Sequence, residues 1–296
     1  MRITNQMTTN NTIRYIQESL ERLNTLQEQS STGKQFQLPS DDPINASQSL
    51  SLESALSVSA GYQKTANFAK EWMTATDTSL SELTDIANQA TSVVMSGLND
   101  TESADERASA LVPQLTEMIN AAVDLGNSTY QGSYLFSGVS VDSPAFQLSG
   151  TSTLSYTGTS KAMTRSIGQN SSVTLNINGD EAISPLIQAM IKARDDLTSN
   201  NTTDLATVLD DLKSALSTLT DAQSENGGRL QQVENTISDL ESFDSNLKSI
   251  LSDKEDTDTT EAAALLENQE TTYQAVLEVA TRTLSALNLF SYLQNS

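Results

Sequence analysis

The chain contains neither cysteine nor histidine. Without cysteine it can form no disulfide and has no thiolate nucleophile, and without histidine it has no imidazole to act as a general base near neutral pH. Zinc sites built from cysteine are excluded for the same reason. A chain that passes through an oxidising environment gains from this composition, because it has no thiols to mispair.

Basic residues are scarce. The 296 residues include 16 Lys and Arg against 38 Asp and Glu, which gives a formal net charge of −22. A protein that binds nucleic acid needs a basic surface to neutralise phosphates, and an anionic membrane attracts basic segments. We therefore expect neither nucleic acid nor a membrane as a partner.

Long hydrophobic runs are also missing. The stretch MRITNQMTTNNTIRYIQ lacks the apolar core of about 7–15 residues found in a cleaved secretory signal. No run approaches the roughly 20 apolar residues that span a bilayer. These features predict either a cytoplasmic protein or one exported by a route that needs no such signal.

Helical periodicity dominates what is present. Hydrophobic residues make up 36% and aromatic residues 5% of the chain, a composition that favours thin helical layers over one compact globule. From Leu52 to Gly97, spacings of three and four residues alternate without a slip, and eleven of the 14 positions are apolar. Such a register predicts a long helix packed along its length on partner helices.

The rest of the chain divides into helical and non-helical segments. Residues 4–31 predict an amphipathic helix, and the helix after residue 100 contains Pro113, which predicts either a kink or a helix start only a few residues earlier. Short alternating runs between residues 132 and 181 predict β-strands. Helical patterns return from Ile183 onward, including one that continues past Gly227 and Gly228, and the last helix is predicted over about 261–293.

The segment SSTGKQFQLPSDDPINAS, residues 30–47, interrupts the first helices. Gly33 suits the left-handed end of a helix, while Asp42 is a good N-cap and Pro43 suits the first helical position. The Gly-Lys pair lacks the glycine spacing and the following Ser or Thr of a phosphate-binding loop. Adjacent Asp41 and Asp42 could form an acid–base or metal site, but capping is the favoured interpretation.

Two further clusters have chemical and structural interpretations. Residues 253–261 hold five acidic groups but lack the spacing and the glycine of a calcium loop, so we predict a solvated, flexible hinge. Tyr130, Tyr134 and Phe136 could line a ligand pocket, but a local core is favoured. No histidine is available to activate a Ser or Thr nucleophile. We expect no catalytic, cofactor-binding or metal site and no enzymatic activity.

The predicted fold is mainly α. It has long antiparallel, coiled-coil-like helical rods, a small β-rich central insertion, and N- and C-terminal helices that lie side by side. Three domains are predicted: residues 1–42 with 262–296, residues 43–131 with 182–261, and residues 132–181. The apolar stripes of the two terminal helices have two interpretations: a helix pair within the monomer, or an element that becomes ordered only in an assembly.

Three segments resemble bacterial flagellin-family proteins. They are SSTGKQFQLPSDDPINAS with the long helix after it, ERASALVPQLTEMINAAVDLGNSTYQGSYLFSG, and the C-terminal GGRLQQVENTISDL…LLENQETTYQAVLEVATRTLSALNLFSYL. The last segment is most similar to family members at the junction between the flagellar hook and its filament. The alternative is filament flagellin itself.

The resemblance implies a structural protein of the bacterial flagellum, exported through the flagellar type III channel to the exterior. It implies a ring of like subunits that contacts the neighbouring junction protein and flagellin, a cytoplasmic export chaperone on the C-terminal part, and terminal helices disordered in the free monomer. The implied subunit-interface residues lie in the first helix, the joint and the last helix: Ile13, Ile16, Leu20, Leu23, Phe36, Leu38, Asp41, Asp42, Leu284, Leu287, Phe290 and Leu293.

Overall fold

The computed structural model describes residues 2–99, 103–150 and 152–293, with the side chains of residues 2–5, 284 and 286–293 left out. The chain forms two compact units. We call residues 1–57 with 243–296 the terminal unit, and residues 58–242 the central unit.

Helices account for most of the described chain, which confirms the predicted mainly α fold. The long helices are α1 (Arg2–Thr32), α2 (Pro43–Gly97), α3 (Ala104–Gly126), α5 (Ser184–Thr198), α6 (Thr202–Glu255) and α7 (Thr259–Leu293), and α4 (Gly179–Ala182) is a single turn. The strands are β1 (Thr129–Tyr130), β2 (Ser133–Tyr134), β3 (Phe146–Ser149), β4 (Thr153–Tyr156), β5 (Thr164–Ser166) and β6 (Ser172–Thr174).

The heptad register of α2 forms the core of the central unit. From Ser59 to Gly97 every predicted register position is buried except Tyr62, which is half-buried. Leu80 and Leu83 are fully buried, and burial of one such side chain stabilises the fold by roughly 1.5–3 kcal/mol. The register prediction is therefore confirmed in this unit.

Helix α3 begins earlier than predicted. A capping box at Ser103 and Glu106 starts it, since the Ser103 side chain accepts from the Glu106 N–H and the Glu106 carboxylate accepts from the Ser103 N–H. Pro113 lies nine residues after the first helical residue, inside the helix. Of the two alternatives predicted for Pro113, a kink or a helix start only a few residues earlier, the second was wrong, because the cap determines the start.

The β-rich insertion is confirmed, but it begins at Thr129 rather than residue 132. The described strands form three separate antiparallel pairs, β1–β2, β3–β4 and β5–β6. Buried side chains from this insertion join the helical core of the central unit, among them Phe136, Phe146, Ile167 and Leu175. Phe136 is fully buried and the Tyr130 ring packs on Phe68 and Trp72, so the aromatic cluster contributes to a local core, as predicted.

Helix α6 continues unbroken past Gly227 and Gly228, as its hydrophobic pattern indicated. The preceding residue, Asn226, is fully buried. Its side-chain amide donates to the Met73 carbonyl oxygen of α2 at 2.8 Å. This bond joins α6 to α2 across the core of the central unit.

Candidate assembly surface

Helices α1 and α7 pack on each other along their length in the terminal unit. They run antiparallel, since Ser19 of α1 contacts Gln269 of α7, whereas Gly33, just after α1 ends, contacts Thr257, just before α7 begins. The less exposed positions of each helix recur every three or four residues and form the shared face: Ile16, Ser19, Leu23 and Leu26 on α1, and Ala262, Leu266, Gln269, Tyr273, Val276 and Ala280 on α7. The structure thus shows the first of the two interpretations of the terminal stripes, a helix pair within one chain.

A polar contact lies within this apolar face. The Gln269 side-chain amide donates to the Ser19 carbonyl oxygen at 3.1 Å and to the Ser19 hydroxyl at 3.0 Å. Ser19 is buried, and a buried polar pair is satisfied only when its two members lie opposite each other. Sequence reasoning missed both residues because each is a single polar side chain within a hydrophobic stripe.

The predicted stripe on α1 divides into two faces. Ile16 and Leu23 are half-buried on the face that meets α7, whereas Ile13 is 46% and Leu20 is 40% exposed. The two members of each pair are seven residues apart, so each pair lies along its own line on the surface of the helix. Only Ile16 and Leu23 lie on the face shared with α7.

The last four predicted interface residues are on α7. The backbone of Leu284, Leu287, Phe290 and Leu293 belongs to this helix. Their side chains lie outside the described residues, so their interface role stays a prediction.

The segment between α1 and α2 is ordered by its own carboxylates. The backbone N–H of Leu38 donates to the Asp41 carboxylate at 3.0 Å, and the N–H of Asn45 donates to the Asp42 carboxylate at 3.0 Å. These bonds lower the pKa of both carboxyl groups. The capping interpretation of Asp42 agrees with this geometry, and no cluster of metal-ligating side chains occurs in the described residues.

The two apolar side chains of this segment differ in exposure. Phe36 is half-buried and lines a cavity of about 500 Å³ together with Ala262 and Leu265 of α7. Leu38 is 61% exposed. Of these two side chains, Phe36 lines the cavity beside α7 and Leu38 does not.

Replacing Asp42 with alanine is expected to lower the melting temperature at pH 7, and the difference should vanish in acid. The Asn45 backbone N–H, followed by the Asn45 side chain, holds the pKa of Asp42 below 3.8. A carboxyl whose pKa is lowered on folding stabilises the fold above its unfolded pKa, and this stability is lost as the pH falls through the folded pKa. Thermal unfolding of both proteins between pH 7 and about pH 2.5 measures the difference.

Asp42→Asn is the control for this prediction. Asparagine is also a good N-cap and has no carboxyl to titrate, so it should retain stability at pH 7. A deficit in Asp42→Ala that is equally large at both ends of the pH range would contradict the assignment of the cap to the ionised carboxylate.

The acidic stretch 253–261 differs from the predicted solvated hinge. Glu255 is buried, and its carboxylate accepts from the Lys34 ammonium at 2.6 Å. The backbone around it pairs with the segment after α1, since the Gln35 N–H donates to the Glu255 carbonyl oxygen and the Thr257 N–H donates to the Gly33 carbonyl oxygen. The hinge prediction was wrong for this residue because a cation distant in sequence neutralises its charge.

Exposed apolar side chains concentrate in the terminal unit. Fifteen large apolar side chains of the described residues are exposed. All but Val58, Met95 and Val139 belong to this smaller unit. An open groove of about 900 Å³ also runs between α1 and α7, beside Tyr15 and Val279. This concentration makes the terminal unit the candidate interaction surface.

Comparison with known proteins relates this chain to the flagellum. Residues 3–141 match the family described as the bacterial flagellin N-terminal helical region. Flagellar hook-associated protein 3 of Salmonella typhimurium is 29% identical over 219 residues, which cover 74% of this chain and 67% of the relative. The Escherichia coli protein of the same name is 28% identical over the same length.

Over about three quarters of its length the chain is similar to flagellar hook-associated protein 3. The predicted resemblance to the flagellin family is thereby confirmed. Both relatives favour the hook-associated protein over the alternative of filament flagellin.

Solved structures show that the fold is shared as well. A flagellar hook-associated protein from Vibrio parahaemolyticus has a TM-score of 0.67 at 18% identity, over 73% of this chain and 100% of that chain. Bacillus cereus FlgL has a TM-score of 0.61 at 21% identity, over 68% of this chain and 99% of that chain. Among the described residues, no helix combines the length and the hydrophobicity that a membrane span requires.

Proposed function

We propose that this chain is a structural component of the bacterial flagellum and forms the junction between hook and filament on which flagellin polymerises. The observation that carries the proposal is the similarity to flagellar hook-associated protein 3 over about three quarters of the chain. Its exposed apolar side chains, concentrated in the terminal unit, are consistent with a protein that functions within an assembly.

The proposed partners are like subunits, which form a ring, the neighbouring hook-associated junction protein, and flagellin. The subunit contacts are assigned to exposed residues of the terminal unit such as Ile13, Leu20 and Leu38, and to the predicted C-terminal residues. A cytoplasmic chaperone that binds the C-terminal part and export through the flagellar channel to the cell exterior belong to the same proposal.

We also propose a place in the assembly for each of the three predicted domains. In this view residues 1–42 and 262–296 line an inner tube, residues 43–131 and 182–261 form the rod, and residues 132–181 lie outside. The protein acts by assembly and catalyses no reaction. Its relatives are structural proteins of the flagellum, which supports this assignment.

Deletion of the gene tests the junction role. The expected result is cells with hooks but without attached filaments, and with unpolymerised flagellin in the medium. Electron microscopy and immunoblots of the culture supernatant measure the two effects. Expression of the full chain from a plasmid should restore the filaments, which excludes an effect on neighbouring genes.

The same strain separates the junction role from filament flagellin. A junction protein should be present in a few copies per sheared filament, whereas filament flagellin should form the bulk of it. Filaments that remain attached in the deletion strain, or a chain that constitutes the filament, would contradict the proposal.

A further inference from the structure

Two adjacent glycines lie in the middle of α6 at positions where the fold does not require glycine. Gly227 and Gly228 lie within the unbroken helix from Thr202 to Glu255 and are both exposed. A Cβ atom added to either would meet nothing within 4 Å, and neither has a positive φ. Glycine inside a helix lowers the helix equilibrium by about fivefold relative to alanine. We call this pair the weak point of α6.

The packing of α6 changes at the weak point. Before it, the positions that recur every three or four residues are all buried; they are Leu205, Val208, Leu212, Ala215, Leu219, Ala222 and Asn226. After it Val233 is buried, but Leu230, Ile237 and Leu240 are only half-buried. A segment with fewer buried apolar contacts opens locally at a lower free energy. The two glycines therefore lie where α6 loses part of its cover.

Asn226 holds the inner side of α6 at this level. Its side-chain amide donates to the Met73 carbonyl oxygen of α2 at 2.8 Å. Its side-chain oxygen is buried and has no hydrogen-bond partner in the part of the chain that the structure describes. An unsatisfied buried acceptor is unfavourable. Asn226 thus anchors the turn before the weak point to α2 without making that turn strongly stable.

Arg229 spans the weak point and connects it to the β-rich insertion. One guanidinium nitrogen donates to the Glu225 carboxylate, one turn earlier in α6. Another donates to the Asn176 carbonyl oxygen of the insertion at 3.0 Å. A groove of about 350 Å³ lies between α6 and the insertion here, and Arg229 is one of its lining residues. We call these two bonds of Arg229 the brace, since they join both sides of the weak point to an element outside the helix.

The acceptor of the brace in the insertion is itself held in place. Asn176 is buried. Its side-chain oxygen accepts from the Met163 N–H at 2.7 Å, and its side-chain amide donates to the Lys161 carbonyl oxygen at 3.0 Å. These bonds join two segments of the insertion, so the Asn176 carbonyl moves only together with that part of the insertion. The position of the insertion is therefore transmitted to α6 through Arg229.

We propose that Gly227 and Gly228 are a point of local opening in α6 and that Arg229 is the positioning residue that closes it, so that docking of the insertion controls how readily α6 opens there. A partner that displaces the insertion would loosen α6 at the weak point, and one that presses the insertion onto the helix would stabilise it. The inference lies within the central unit and does not depend on the proposed flagellar function.

Amide hydrogen exchange of the full-length chain tests the brace in peptides that cover residues 227–234. In Arg229→Gln these peptides should exchange about tenfold faster, because loss of hydrogen bonds from a charged group costs on the order of a factor of ten in the opening equilibrium. Asn176→Ala leaves Arg229 in place but frees its acceptor, and should accelerate the same peptides at least about threefold. Peptides that cover residues 206–216 of α6 should keep the wild-type rate in both variants.

Lys192→Gln is the matched control for the brace. The Lys192 ammonium donates to the Asp211 carboxylate of α6 at 3.0 Å, so this variant also removes an ion pair between α6 and a neighbouring element, with the same change of charge. It should leave the peptides over residues 227–234 unchanged. Equal rates in wild type and Arg229→Gln, equal acceleration in Arg229→Gln and Lys192→Gln, or wild-type rates in Asn176→Ala would overturn the proposal.

Replacing both glycines tests the weak point itself. Gly227→Ala combined with Gly228→Ala should slow exchange of the same peptides at least about fivefold, because alanine stabilises the helix. Gly61→Ala in α2 is the control, since a Cβ atom added there also meets nothing within 4 Å, and it should leave these peptides unchanged. Wild-type exchange rates in the double variant, or equal slowing by Gly61→Ala, would show that α6 has no weak point at the glycines.

Discussion

A chain carrying both Ile13→Asp and Leu20→Asp is expected to fold normally but to leave hooks without filaments. Both side chains are large, apolar and more than one third exposed in the free chain, so their replacement removes little internal packing. In an assembly that covers them, burial of the exposed part, which is less than half of each side chain, would stabilise the contact by about 1 kcal/mol per residue. Loss of both, together with two desolvated carboxylates, should weaken each subunit contact by about a hundredfold or more.

The measurement combines circular dichroism of the purified protein with filament counts in the complemented deletion strain. Met95→Asp with Val139→Asp is the matched control, since both residues are similarly exposed but belong to the central unit. The control pair should support filaments. Normal filaments with the first pair, or equal loss with both pairs, would show that α1 does not provide the contact.

Gly138→Ala is expected to destabilise the central unit by about 3 kcal/mol. Gly138 has a φ of +71°, a left-handed conformation that costs an L-residue about 1–2 kcal/mol. A Cβ atom there would also lie 2.0 Å from the Thr159 carbonyl oxygen. That segment cannot move away freely, because the Thr159 N–H donates to Ser137 and its hydroxyl accepts from the Val139 N–H. The overpacking adds about 1–3 kcal/mol.

Gly132→Ala isolates the steric part of this effect. Gly132 has a φ of +83°, but a Cβ atom added there meets nothing within 4 Å. Its substitution should therefore cost only the conformational penalty of about 1–2 kcal/mol. Urea unfolding of the two variants and the wild type gives the difference. Equal destabilisation by both substitutions would show that the contact with Thr159 is relieved without cost.

The long helices were predictable because their signal repeats. In α2 the apolar period is sustained over six heptads, so an error at one position does not change the assignment. The pairing of the short strands was less accessible, since β1 and β2 contain two residues each. The start of α3 was overlooked although Ser103 and Glu106 have the capping-box spacing, because Pro113 suggested a later start.

The candidate surface was only partly predictable. Spacings of three and four residues identified Ile13, Ile16, Leu20 and Leu23. Such a stripe consists of two parallel lines along the helix, and the positions within each line are seven residues apart. Which line faces a partner depends on α7, which follows in sequence more than 200 residues later. Glu255 illustrates the same limit, since a carboxylate within an acidic run is usually solvated and here only its tertiary neighbour Lys34 makes its burial tolerable.

The antiparallel arrangement of α1 and α7 has a practical consequence for labelling. Because Ser19 lies beside Gln269 and Gly33 beside Thr257, the start of α1 and the late part of α7 are at the same end of the helix pair. Fluorophores at Met7 and Val279, which are both exposed, would report on one location and serve as a short-distance ruler for fraying of the pair.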